Sequence, residues 1–123
     1  MAAAALHLRK AEYNELFLKN TDFGGNHLDW AATIIFYSAL HYLRAFFARE
    51  GFPNADSYQA IETLFASLPM LQRNLPLWFA YRELKDQSWE ARYRFKEFTR
   101  EEIQLLRTNH LHKIRTFVLE ALP

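Results

Sequence analysis

Thr33, Tyr37, His41 and Arg44 follow one another at steps of four, four and three, which on an α-helix sets them along one stripe. The segment carrying them is otherwise apolar, and polar groups in such surroundings need partners. Two arrangements meet that need. In the first, His41 and Tyr37 hydrogen-bond to neighbouring helices and Arg44 pairs with an acid such as Glu83 or Glu12. In the second, the stripe opens onto a pocket or a dimer cleft, where the imidazole and the guanidinium meet an anionic ligand. His27, just ahead of the same segment, suits a place at the helix cap.

A second group is the run from Arg92 to Arg100, in which Arg92, Arg94, Lys96 and Arg100 stand against the single acid Glu97 and alternate with aromatic residues. Cations interleaved with rings can grip phosphates and stack bases. Equally, Phe95 and Phe98 can anchor a turn into the core while the cations sit in water. Metal chemistry has less to build on. His110 and His112 are two apart and point to nearly opposite sides of a helix, whereas ligand pairs need three or four. Glu12 with Glu15 and Glu97 with Glu101 have helical spacing, but no His follows a Glu by three on the same helix, as a di-iron bundle requires. No metal and no cofactor are expected.

Composition narrows the classes further. The sequence has 123 residues, 50 % hydrophobic and 24 % charged, which is ordinary for one folded domain over residues 1–123. Fifteen basic against fourteen acidic side chains leave a formal charge of +1, so binding to nucleic acid requires a local patch. The absence of cysteine excludes disulfides, zinc-thiolate sites and thiol nucleophiles, and leaves the cytoplasm as the expected compartment. Three glycines, none in a phosphate-loop pattern, exclude the usual nucleotide cradles. The first residues lack the charged and apolar regions of a targeting segment. The most apolar stretch, residues 30–48, is interrupted by Thr33, Ser38, His41 and Arg44, which reads as a buried helix and not a membrane span.

No segment alternates with a strand's period of two, so the expected class is all-α. A first helix over residues 4–18 draws its apolar side mainly from Leu6, Leu8, Tyr13, Leu16 and Phe17, and residues 20–25 break it. Asn26 as N-cap, Asp29 in the first turn and Gly51 after the last turn bound a long second helix. That helix is apolar nearly all round, which places it at the centre of a bundle or at a subunit interface. Ser57 caps a third helix. Pro69 and Pro76 punctuate the next stretch, with a fourth helix from near Pro76 to Tyr93. Thr99 and Glu102 form a capping box, flanked by Phe98 and Ile103 as a staple, for a last helix reaching about Glu120. The result is one up-and-down bundle of four to five helices. Twenty aromatic residues, 16 % of the chain, serve most simply as core and interface filler, and an excess over what one small core can hold would favour a homodimer.

The block from His27 through Trp30-Ala-Ala, Phe36-Tyr and Ala39-Leu-His-Tyr42, preceded by Ala11-Glu-Tyr-Asn14 and Phe17-Leu18, resembles the first helical hairpin of HEPN-type proteins. Gly51, the run Tyr81-x-x-Leu84-x-x-x-Ser88-x-x-Ala91-Arg92-Tyr93 and Phe98-Thr99 extend the similarity over residues 11–118. Where members often carry His and Arg after the long helix, this chain has Asn54 to Tyr58. The resemblance implies a homodimeric helical bundle found as an RNase toxin, as a partner of a minimal nucleotidyltransferase, or alone. Catalytic members use Arg, four to six residues, then His, and here Arg107 and His112 meet that spacing. They would cleave RNA without metal, His112 moving the proton and Arg107 stabilising phosphorane charge. On a regular helix, however, residues five apart diverge by about 140°. The reading favoured by the sequence is therefore a non-catalytic binding or interaction module of a toxin-antitoxin, defence or nucleotidyltransferase-linked system. The Arg107/His112 RNase and a purely structural dimer are the alternatives.

Overall fold

The computed structural model describes residues 2–21 and 26–122, and all regular structure among them is helical. Helix α1 (Ala2–Asn20) is followed by α2 (Leu28–Arg49), α3 (Tyr58–Ser67), the single turn α4 (Pro69–Gln72) and α5 (Leu75–Tyr93). The last helix, α6, runs without interruption over residues 100–121. Six helices stand where four to five were expected, because Pro69 opens a turn of its own between α3 and α5. The fixed φ of proline suits a first turn, where its missing N–H is not needed. The break expected over residues 20–25 falls mostly on 22–25, outside the described residues.

Local chemistry explains most helix starts. Ser57 accepts from the Ala60 N–H at 3.0 Å, and Asn74 accepts from the Leu77 N–H at 3.1 Å with Pro76 in the first turn. Thr99 and Glu102 exchange side-chain and backbone bonds of 3.1 and 3.0 Å, completing the capping box. Helix α2 departs from expectation. Its N-cap is His27, not Asn26, and His27 sits in the left-handed region with φ 58° and no side-chain cap bond. Only its backbone carbonyl serves, accepting from Trp30 at 3.0 Å and Ala31 at 3.3 Å. At the other end Gly51 has φ 98°, the conformation that ends a helix at little cost for glycine alone.

Helix α2 is central and packs on α1, α5 and α6. Ile35, Phe36, Leu43, Phe46 and Phe47 are fully buried. Ring contacts lead outward from it. Phe47 meets Phe65 of α3 edge-on, Phe65 meets Trp78 and Tyr81 of α5, and Phe46 meets Phe117 of α6. The Tyr81 hydroxyl is buried and donates to Glu62, which Lys85 also holds at 2.5 Å.

Helix α1 reverses an expectation. It lays Ala4, Ala11 and Leu18 on the core with Leu8 beside them, while Leu6, Tyr13, Leu16 and Phe17 are exposed. Small side chains allow the two backbones to approach, and Ser38 of α2 donates to the Ala11 carbonyl at 2.9 Å in a buried contact. Ser38 opposite Ala11 and His41 beside His7 run in opposite senses, so α1 and α2 are antiparallel.

Helix α6 is not regular. Residues Leu106–Leu111 form a π turn, in which each turn holds one residue more than in an α-helix. Leu106, Leu111, Ile114 and Val118 all stay buried at steps of five, three and four. Among the described residues, α2 alone has the length and composition to cross a membrane, and 78 % of its most apolar window is buried inside the bundle.

Candidate functional site

Tyr37, His41 and Arg44 of α2 line one groove of about 560 Å³. Its other wall is Asp56, Ser57 and Tyr58, where the loop after α2 turns into α3. Thr33 is not part of it. One turn earlier on the stripe, Thr33 is buried and its hydroxyl donates to the Asp29 carbonyl at 3.0 Å, a local bond that satisfies it within the helix.

Each of the three groove residues has a partner from another element. His41 Nδ1 lies 3.0 Å from His7 Nδ1 of α1, with the rings stacked at 5.2 Å. One ring must donate and the other accept, so the two neutral imidazoles hold opposite tautomers. The Tyr37 hydroxyl accepts from Arg92 Nη1 of α5 at 3.3 Å, and the Arg92 guanidinium lies 5.8 Å over the Tyr37 ring. Arg44 Nη2 donates to the Asp56 carbonyl at 2.7 Å. Its partner is thus a backbone group and neither Glu83 nor Glu12, because the loop after α2 folds back across the end of the stripe. Arg44 Nε is buried and has no partner among the described residues.

These surroundings keep both histidines neutral. Burial draws His41 down to about 4, with His7, Arg44 and Lys10 adding to the effect. Burial and Arg44 also lower His7, against an opposing pull from Asp56. A lowered imidazole takes up its proton in the unfolded chain first. The corresponding stability is complete above the ordinary value of 6.5 and is lost as pH falls toward about 4. Because the pair is only half-buried, solvent screening reduces the effect to about 1–2 kcal/mol. Thermal denaturation should show the melting temperature falling by several degrees from about pH 7 to about pH 5. The His7→Gln/His41→Gln double variant should flatten that slope, and an unchanged slope would remove the pair from the titration.

The other candidate residues are dispersed. Lys96 is held by Glu102 at 3.0 Å and Gln87 at 2.6 Å, next to the capping box. Arg94 and Arg100 are exposed, and Arg92 belongs to the groove. Phe98 is buried as an anchor, but Phe95 is 91 % exposed with φ 55°. The left-handed backbone at Phe95 swings its ring away from the core.

Arg107 lines a second pocket, of about 380 Å³, with Lys19, Glu12, Glu15 and Arg115. There Glu15 accepts from the Tyr42 hydroxyl and lies 3.7 Å from Arg115 Nε. Burial and the Glu15 contact hold Tyr42 protonated well above its usual range. The π turn is what brings Arg107 and Arg115 together. Eight residues on a regular helix diverge by about 80°, but one absorbed residue reduces this to about 20°. By the same count Arg107 and His112 are separated by about 40° instead of 140°. His112 nevertheless stays outside the pocket lining, exposed, with Nε2 3.4 Å from the Thr116 hydroxyl. Burial lowers the proton affinity of His110 against an opposing pull from Glu83 of α5.

His7 was not singled out by sequence reasoning. The signal lay in the hairpin register: once Ala11 is set opposite Ser38, an antiparallel pair brings position 7 to position 41. Among the described residues no three His, Asp or Glu side chains cluster as a metal site requires. No family model, no curated protein and no solved structure matches the chain.

Proposed function

We propose that the chain is a HEPN-like, non-catalytic binding and interaction module that takes an anionic ligand in the groove of Tyr37, His41 and Arg44. The observation that carries this reading is Arg44. Among the described residues it has no ion-pair partner, it donates only to a carbonyl, and its Nε is buried and bare. A guanidinium that lines a groove and has no carboxylate partner leaves its charge for an anion to pair with. A long central helix bearing the Trp30 to Tyr42 block agrees with the arrangement that the HEPN resemblance implies. Leu6, Tyr13 and Leu16, exposed on α1 at steps of seven and three, support a homodimer. The setting is a toxin-antitoxin, defence or nucleotidyltransferase-linked system, with a nucleotidyltransferase-type protein as the partner.

Thermal denaturation in sulfate and in chloride of equal ionic strength tests the groove. A saturating anion, at about 100 times its dissociation constant, adds about 2.7 kcal/mol of stability, and Arg44→Gln should abolish that gain. Equal stability in both salts would reject the reading and favour the structural dimer.

The π turn supports a second reading, the metal-independent RNase, since it narrows the angle between Arg107 and His112. RNA incubated with EDTA present should stay intact with the wild-type chain. Cleavage lost only in an Arg107→Ala/His112→Ala variant of unchanged fold and oligomeric state would replace the first reading with this one.

A further inference from the structure

The contact between His7 and His41 limits how many protons the groove can take up. Their Nδ1 atoms share one hydrogen across 3.0 Å. One Nε2 therefore carries a hydrogen, and the other carries only a lone pair. Adding a proton to that lone pair breaks no bond. The pair then presents two Nε2–H donors and one positive charge, and the shared hydrogen stays in place. A second proton would have to enter between nitrogens that already share one, so uptake stops at one while the contact lasts.

The surroundings suit a doubly charged anion. Arg44 and His41 face the groove from α2, His7 and Lys10 lie beside them on α1, and Arg92 approaches Tyr37 from α5. The first turn of α3 begins in the opposite wall, at Ser57 and Tyr58, and the start of a helix favours negative charge. Among the described residues Asp56 opposes this: its carboxylate acts on His7 and its carbonyl is held by Arg44. Arg44 and His41 line the groove, and with the proton that the pair gains they set about two positive charges against one ligand. That matches a doubly charged phosphoryl group better than a carboxylate, and a phosphomonoester loses its second proton near pH 6. The groove, at about 560 Å³, has the size of small-molecule sites.

We propose that the groove binds the phosphoryl group of a phosphomonoester and that the His7–His41 pair takes up one proton as it does so. This rests on the anion-binding reading and adds to it a ligand class and a proton count.

Calorimetric titration with adenosine monophosphate, in two buffers of different ionisation enthalpy at about pH 7, reads affinity and proton uptake together. Adenosine serves as the counterpart without phosphate. Adenosine monophosphate should bind with uptake of about one proton, weakening about tenfold per unit as pH rises further, and adenosine should not bind. The His7→Gln/His41→Gln double variant should bring the uptake to near zero, since either imidazole left alone can still accept one proton. Asp56→Asn should tighten binding several-fold, because it removes the opposing carboxylate. Binding that Arg44→Gln weakens, but with no proton uptake, would overturn the histidine assignment and leave the anion groove standing. Failure of adenosine monophosphate where sulfate still stabilises would overturn the phosphomonoester class. Binding indifferent to Arg44→Gln would overturn the groove itself, and with it both readings.

Discussion

Phe47→Ala is expected to destabilise the chain by about 3–5 kcal/mol, the usual cost of truncating a fully buried phenylalanine. Phe47 has no exposed surface and meets Phe46 at 5.6 Å and Phe65 at 6.3 Å, both edge-on. Phe65 in turn leans on Trp78 and Tyr81, so the Phe47 ring joins α2 to α3 and the first half of α5, beside Phe36, which meets Tyr58 and Tyr81. Ile61, Leu64 and Phe65 are the buried side chains of α3, and Glu62 ties it to Tyr81 and Lys85 at its rim. The void left by alanine has rings on several sides, and rings cannot collapse into it without leaving one another. A small domain has about 5–15 kcal/mol of stability in total, so the variant loses a large part of it. The melting temperature should fall by more than about 10 °C. Urea denaturation should show a lower midpoint at unchanged slope. Phe95→Ala supplies the contrast: the ring is 91 % exposed and its removal should change stability by no more than about 0.5 kcal/mol. A loss below about 1 kcal/mol for Phe47→Ala would mean that α3 is not tied to the core through this ring.

The same packing shows why much of the architecture was legible and where legibility ended. Caps are local: Ser57, Thr99 with Glu102, and the glycine after α2 each settle their own backbone bonds within a few residues. Sequence alone identifies such features because no distant residue takes part. The side of α1 that faces inward is a different matter. Its large apolar residues indicated one face, yet the core took the face with Ala4 and Ala11. What decided it was the close approach of Ser38 to the Ala11 carbonyl, a term that belongs to the pair of helices and to neither alone.

The groove follows the same division. The spacing of Tyr37, His41 and Arg44 sufficed to set them on one stripe, and they do share a groove. Thr33 had the same spacing but answers to a local partner, the Asp29 carbonyl. His7, Arg92 and the Asp56 carbonyl reach the stripe from three other segments. Their arrival depends on tertiary register, so a list of titratable residues could not select them. The last helix carries a further signal in its own sequence. From Leu106 to Leu111 the buried pattern of the last helix steps by five, where an α-helix steps by three or four, and that irregular step marks the π turn.

That step carries the second large prediction. Deleting Thr108, which is exposed inside the π turn, should leave stability within about 1 kcal/mol of wild type, since the turn reverts to an α-turn and regains regular hydrogen bonding. The deletion changes the Leu106 to Leu111 step from five to four, so Leu106, Leu111, Ile114 and Val118 keep a common face. It also leaves Arg107 seven residues before Arg115, about 20° apart on a regular helix, so the lining of their pocket persists. Deleting Lys113 is the opposite case. It is equally exposed, but it lies in the regular stretch His112–Ala121, where no spare residue is available. Everything after it rotates by about 100°, which turns the fully buried Ile114 and Val118 away from the core. Each loses about 1.5–3 kcal/mol of burial, and the buried side chains of α2 that they cover are exposed as well. The two deletions remove one exposed polar residue each from one helix, five positions apart, and should differ by at least about 3 kcal/mol in denaturant midpoint analysis. Equal losses would show that the extra residue is needed where it stands and that the π turn is fixed by its own side chains. A tolerated Thr108 deletion shows instead that the turn absorbs an inserted residue and so keeps the buried face of the last helix in register.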